Sequence, residues 1–494
     1  MPAEKHSVTI RPEISLGKIS PMIYGHFIEH LGRCVYEGIW VGEKSKIPNT
    51  RGIRKDTVAA LKAIGAPVLR WPGGCFADDY HWTDGIGPAS KRPVQFNRWG
   101  PSEDDNQFGT HEFIDFCRQV GAEPYICANV GTGSPSEAAY WVEYCNHAGA
   151  TAAAELRAKN GSKEPFAVKY WGVGNENWGC GGHMEPEEYA AEYRRFAGFM
   201  HSRDPKIELV AGGHTAPDWN WRFLKNMGRL HLIHHLSIHV YFPGCGNDAD
   251  FTTTDYYNMV LRSTEIEREI ALAREAVEVF VRGAKPVGII VDEWGTWHPQ
   301  ARDDNGLQQK NTMRDAIVAA GCLDVFNKYA CCVTMTNIAQ TINVLQCMAQ
   351  TAQDKLWLTP TYHVYDLYKG HMGAESVHVD IDTTMVEARA GDGMKKELPV
   401  LSASASLNAA KKTLLLTVTN RHLDEAVEVD INIQGDFKVK GATIHTLAAR
   451  DIREYNDAEA PDRIKPAHPR KLAPDELPHL LAAKSVTAIE YQLA

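Results

Sequence analysis

The chain has 494 residues, 44% of them apolar and 23% charged, with a net charge of −10. That composition suits a globular protein with a large core. The acidic balance argues against nucleic acid, whose binding needs a basic surface, and no run of 18 apolar residues offers a membrane span. "MPAEKHSVTI" lacks a basic segment followed by an apolar one, so no signal peptide is expected. The 11 cysteines are odd in number and scattered. They read as reduced thiols of a cytoplasmic protein, with no disulfide framework.

From the N-terminus, "HSVTIRPEI" alternates and predicts a strand that joins a later sheet. Eight short apolar segments follow between about residues 18 and 375. They are "PMIYGHFIE", "APVLRWPGG", "EPYICANVG", "AVKYWGVGN", "IELVAGG", "HLSIHVYF", "VGIIVDEWG" and "TNIAQTINVLQ". Helical stretches separate them. One, "SPSEAAYWVEYC", opens with a capping box in which Ser134 caps, Pro135 leads and Glu137 reaches back. Eight β-then-α units predict an α/β protein, a parallel (β/α)8 TIM barrel. After residue 375 the pattern becomes strictly alternating, as in "EAVEVDINIQG". Residues 376–494 therefore predict a C-terminal all-β sandwich domain, to which residues 1–17 add a strand. The proline-spaced "APDRIKPAHPRKLAPDELP" reads as a loop within it, and the acidic "PSEDDNQ" as a solvated loop.

In such a barrel the loops after the strand C-termini build the site. "VKYWGVGNENWG" places Glu176 after the fourth strand, and "VGIIVDEWGTW" places Asp292 and Glu293 at the end of the seventh. Two carboxylates facing across the mouth are what glycoside cleavage requires: one protonated to serve the leaving oxygen, one ionised to attack carbon. Whichever carboxyl serves as the acid needs a raised pKa, which an apolar, tryptophan-rich surround would provide. Period-two alternation turns only one of Asp292 and Glu293 inward, and does not say which.

"GNENWG" and "DEWG" resemble the acid/base and nucleophile signatures of family 51 glycoside hydrolases, the α-L-arabinofuranosidases, in the clan with its acids on strands four and seven. The resemblance extends through "YGHFIEHLGRCVYEGIW", "LRWPGGCFADDYHWTDGIGP" and "NQFGTHEFIDFCRQVGAEPYICANVGTG". It implies a retaining, exo-acting enzyme that releases terminal arabinofuranosyl groups from arabinose-containing oligosaccharides. Glu176 would be the acid/base and Glu293 the nucleophile. Asn175 would bind the sugar 2-hydroxyl and Glu29 other hydroxyls, the alternative for Glu29 being an ion pair with Arg33. Tyr241 would touch the nucleophile or the ring, His239 would orient the nucleophile, and Arg70 would hold it ionised. Trp99, Trp178, Trp294 and Trp297 are candidate stacking platforms.

Two positions depart from the family pattern. Cys75 stands where many members carry a sugar-binding asparagine after the paired glycines. Leu358, in "KLWLTPTYHVY", stands where a glutamine is expected in the eighth-strand loop. These departures keep open a β-xylosidic or β-glucosidic specificity in the same clan, and a non-catalytic binding barrel is a further alternative. The resemblance implies no cofactor, and it implies a homohexamer. The histidines of "HLIHHLSIHVYF" (His231, His234, His235 and His239) lack an accompanying acid at ligand spacing, so no metal site is expected.

Overall fold

The computed structural model describes residues 6–100, 103–216, 218–281, 286–391, 393–473 and 480–494. Eight parallel strands close into a barrel in chain order. They are Gly25–Phe27, Val68–Trp71, Glu123–Ala128, Tyr170–Val173, Glu208–Gly212, His235–Pro243, Gly288–Trp297 and Val333–Ile338. A layer of inward side chains, Val68, Tyr125, Tyr170, Val210, Ile290 and Met335, packs together as the floor. The barrel is thus solid below and open only where its strands end.

Two strands differ from expectation. "PMIY" forms a 3-10 turn, because Ser20 accepts the Met22 N–H and proline opens the turn, so the first strand is only Gly25–Phe27. The eighth strand starts at Val333 and stops at Ile338; "AQTINVLQ" is a folded loop whose backbone bonds to Phe27 and Trp294. The Ser134 cap forms, accepting the Glu137 N–H at 3.2 Å. Glu137 does not reach back, however; its carboxylate pairs with His81 at 3.0 Å.

The C-terminal residues build an all-β module with one core, including Val8, Ile10, Leu416, Val429, Ile489 and Tyr491. Hydrogen bonding runs through nine strands. The N-terminal strand, His6–Lys18, lies inside that order, antiparallel to Glu375–Asp382 and parallel to Val427–Ile433. The proline-spaced segment is not all loop: Arg470–Leu472 pairs with Ala442–Ile444, and residues 474–479 of it lie outside the described residues.

Almost all residues of helix Met313–Lys328 are buried, and its buried polar members Arg314, Asp315, Asp324 and Asn327 are each hydrogen-bonded, as buried polar groups must be. It packs on the seventh barrel strand and on four sandwich strands. At its C-terminal end Asn327 accepts from the Tyr24 hydroxyl at 3.1 Å and donates to Ser404 at 3.1 Å, linking barrel to sandwich. Asn327→Ala leaves the buried Tyr24 hydroxyl without its acceptor. It should cost about 2 kcal/mol of stability, read by calorimetry, while the folded fraction keeps its turnover number.

Candidate active site

The fourth strand ends at Val173 and the chain turns sharply. Gly174 has φ +82° and Glu176 φ +42°. A left-handed non-glycine residue costs on the order of 1–3 kcal/mol and needs external support. Asp78 supplies it. Its buried carboxylate accepts N–H groups from Val130 (2.7 Å), Gly131 (2.9 Å) and Asn175 (2.7 Å). One side chain in the loop after strand two thereby ties down the exits of strands three and four. Burial pushes the Asp78 carboxyl up to about 7, against those three donors. The Glu176 carbonyl also accepts from Gly179 and Gly181, closing the turn on itself.

The seventh strand turns both Asp292 and Glu293 into the barrel. Pairing with the sixth strand steps from Ile238↔Val291 to His239↔Glu293, so Asp292 is the extra residue of a bulge. A bulge breaks the period of two, and both acids meet Arg70 inside the barrel. Asp292 accepts from the Tyr125 hydroxyl (2.6 Å) and Asn337 (2.8 Å) and lies 3.4 Å from Arg70 Nε. Glu293 accepts from Arg70 (2.8 Å) and from the Tyr241 hydroxyl (2.7 Å). Arg70 also donates to Asn175 Oδ1 at 2.5 Å and lies 4.6 Å over the Phe27 ring.

His239 bridges the two acids. Its Nδ1 is 2.7 Å from Glu176 and 3.6 Å from Glu293. The nearer partner is Glu176, and Glu293 lies within ion-pair reach, so His239 faces both acids. One oxygen from each acid and a His239 nitrogen lie within 4.8 Å of one another. Burial opposes charge on Glu293, His239 and Arg70, and their mutual attraction outweighs it. Glu293 is lowered because His239 and Arg70, with donors from Arg70 and Tyr241, exceed its desolvation. His239 is raised because Glu293 and Glu176 exceed its own. Arg70 stays charged, held by Asp292 and Glu293 against desolvation.

Glu29, on the loop after strand one, accepts from the backbone of Gly74 (3.0 Å) and Phe76 (3.1 Å) and from the Gln340 amide (2.8 Å). Burial, and then the charge of Glu293, push it up to about 7. It makes no ion pair with Arg33, which binds Glu37 at 2.7 Å. Gln340 fills the place assigned to Leu358. The glutamine of the eighth-strand loop is present, two residues past the true end of that strand. Leu358 ends a separate hairpin, its carbonyl held by Asn456.

Cys75 does not remain a free thiol. It forms a disulfide with Cys180, with Cα atoms 5.6 Å apart and a sequence separation of 105. The loops after strands two and four bring the pair together, a proximity no linear spacing shows. The other nine cysteines are free, seven of them buried. The sulfurs lie 3.8 Å (Cys75) and 3.7 Å (Cys180) from Glu176 Oε2. The disulfide, not tryptophan, therefore flanks that oxygen.

The aromatic candidates divide. Trp178 is half-buried and stacks on His214, centroids 3.9 Å apart and 3° from parallel. Trp297 meets Tyr241 edge-on at 5.2 Å. Trp294 is fully buried and bonds to Thr336, so it is core. Trp99 is half-buried under the Arg98 guanidinium at 4.4 Å. The histidines scatter likewise, His235 binding Glu208 and Thr334 while His239 sits among the acids. The acidic run, expected in solvent, sends Asp104 inward. There it meets His30 (2.6 Å) and Tyr36 (2.6 Å), and His30 in turn accepts from Trp71.

A parallel barrel whose acids after strand four and on strand seven meet at one histidine has the site of a glycoside hydrolase. The family model of the α-L-arabinofuranosidase 1 domain matches residues 60–257, and that of the α-L-arabinofuranosidase C-terminal domain matches 292–485. A Bacteroides ovatus protein named intracellular exo-α-L-arabinofuranosidase is 41% identical over 98% of this chain and 96% of its own. The crystal structure of a GH51 arabinofuranosidase from Xanthomonas axonopodis pv. citri superposes with a TM-score of 0.91 at 36% identity, covering 99% of this chain and all of that one. The Thermotoga maritima α-L-arabinofuranosidase, solved as an arabinose complex, gives 0.85 at 36% identity, covering 98% and 99%. The chain belongs to glycoside hydrolase family 51, the α-L-arabinofuranosidases.

A Cβ on Gly74 would stand 2.6 Å from Glu293 Oε1, and Glu293 is pinned by Arg70 and Tyr241. Gly74→Ala should therefore move that carboxylate and lower kcat/KM about 100-fold with little change in melting temperature. Tyr241→Phe removes a donor that favours the ionised form of Glu293. Because a lowered pKa is lost when such a donor goes, the acid limb of the kcat/KM–pH profile should move to higher pH, read on an arabinofuranoside.

Proposed function

We propose that this enzyme releases terminal α-L-arabinofuranosyl groups with retention of configuration, using Glu176 as acid/base and Glu293 as nucleophile. The observation that carries the reading is the approach of the two carboxylates, with one oxygen of each within 4.8 Å. Retaining glycosidases hold their carboxyl groups about 5–5.5 Å apart, whereas inverting ones leave about 6.5–9.5 Å for a water.

In the first step Glu293, kept ionised by Arg70 and Tyr241, attacks the anomeric carbon. Glu176 gives its proton to the departing oxygen. His239, bonded to the Glu176 carboxyl, orients it in both steps. In the second step Glu176 activates water, which frees the sugar from Glu293. Asn175, its Oδ1 held by Arg70, turns its amide group toward the 2-hydroxyl. Glu29, with a pKa about 7, is partly protonated near neutrality and both gives and takes hydrogen bonds with other hydroxyls. The Cys75–Cys180 disulfide, Tyr241, Trp178 and Trp297 wall the sugar site. No step calls for a cofactor.

The printed name of the Bacteroides ovatus relative supports exo action and a cytoplasmic setting, where short arabino-oligosaccharides would be the substrates. Among the described residues no helix is long and apolar enough to cross a membrane. Family resemblance supports a homohexamer. A shift to β-xylosidic or β-glucosidic cleavage loses one of its two motives, since Gln340 supplies the amide that was expected at Leu358.

The test is a leaving-group split. Glu293→Gln should abolish turnover of every arabinofuranoside. Glu176→Ala should lose about 10²–10⁴-fold on substrates with poor leaving groups, retain glycosyl-enzyme formation with p-nitrophenyl arabinofuranoside, and regain turnover with azide. Unchanged rates in both variants would refute the assignment, and activity confined to a p-nitrophenyl xyloside or glucoside would refute the substrate.

A further inference from the structure

The two sulfurs beside Glu176 have a chemistry that the hydrolysis does not use. One ligand atom from each of Cys75, Glu176 and Cys180 lies within 4.8 Å of the others, and all three residues are only half-buried. Cys180 sits in a glycine-rich turn, "GCGG", with Gly182 at φ +129°, and Cys75 opens a short 3-10 turn. Neither cysteine is locked inside a long regular element. As a disulfide the sulfurs are poor ligands; as thiolates they are strong ones for borderline and soft divalent cations.

We propose that the reduced Cys75–Cys180 pair, together with Glu176, forms a binding site for Zn²⁺, and that the disulfide closes this site. Its inhibitory consequence rests on Glu176 being the acid. A dithiol reductant supplies two electrons: the S–S bond breaks, each sulfur takes a proton, and the reductant leaves as its own disulfide. Zn²⁺ then displaces both thiol protons to solvent and binds two thiolates and one Glu176 oxygen. A water completes the tetrahedral set that zinc prefers. Two thiolates and a carboxylate outweigh the cation by one negative charge, which suits the positive groups nearby, His239 and Arg70. A metal-bound Glu176 can neither hold nor transfer a proton, so the loaded enzyme is inactive.

Glu176 belongs to a second trio of potential ligand atoms, with His239 and Glu293. That trio lacks sulfur, and Glu293 is already committed to Arg70 and Tyr241. The sulfur pair decides the metal class.

The experiment compares oxidised and dithiothreitol-reduced enzyme, freed of reductant without air, in a Cys331→Ser/Cys332→Ser background. That background removes the two free thiols that are not buried. Each form is titrated with ZnCl₂ against a chromogenic chelator, and turnover is followed on an arabinofuranoside with a poor leaving group. The reduced form should hold one more Zn²⁺ per chain than the oxidised form. It should lose about 100-fold in rate, and EDTA should restore it. The same background with Cys180→Ser added, also reduced, should show neither change when its rates with and without zinc are compared. Equal zinc uptake by the oxidised and reduced forms, which needs no variant at the site, would overturn the proposal. Extra zinc with undiminished turnover would leave the ligand set standing and refute Glu176 as the acid.

Discussion

One buried guanidinium holds the mouth of this barrel together. Arg70 contacts Glu293, Asp292 and Asn175 at once, and an ion among so many desolvated carboxylates is what permits any of them to stay charged. A buried charge without partners costs far more than the pair returns. The acids and the arginine therefore exist only as a set. The consequence is chemical as much as structural. Glu293, bonded directly to the arginine, is kept ionised, while Glu29 and Asp78, which make no such bond, drift up to about 7. Arg70 and His239 together thus set Glu293 apart from its neighbouring acids.

Much of this was legible in the chain itself. Eight strand segments followed by helices specify a closed parallel sheet, and the strand-end rule leads to Glu176 and to the adjacent pair Asp292 and Glu293. Both rest on local patterns, which a sequence carries. What escaped depends on contacts between distant segments or on departures from a regular period. The bulge at Asp292 admits two adjacent acids to one cavity, and a strict alternation forbids that. Cys75 and Cys180 meet only because two loops converge. Asp104 reads as part of a solvated loop and Asp78 stands out in no motif, yet Asp78 braces two strand exits and Asp104 is buried against His30. No spacing marks either.

The misplacement of the eighth-strand glutamine has the same origin. The apolar run through "TNIAQTINVLQ" looks like continuous strand, but the backbone leaves the sheet after Ile338 and packs as a loop against the seventh strand and the first. Apolar composition reports burial, and burial is shared by strands and by loops folded into a core. Counting from the true strand end puts Gln340 beside Glu29, and the pocket regains its amide without any change of residue.

Helix Met313–Lys328 sets a limit on how far this architecture can be divided. It is one of the outer helices of the barrel, and its other side serves as the floor of the β module. The first strand of the chain is likewise woven into that module before the barrel has begun. A shortened protein ending near residue 370 would carry both surfaces bare, a stripe of alanine, valine and leucine and an unpaired strand edge. Such a fragment would associate with itself rather than stand alone. The C-terminal module is therefore a structural part of the barrel that carries the chemistry, not a detachable appendage.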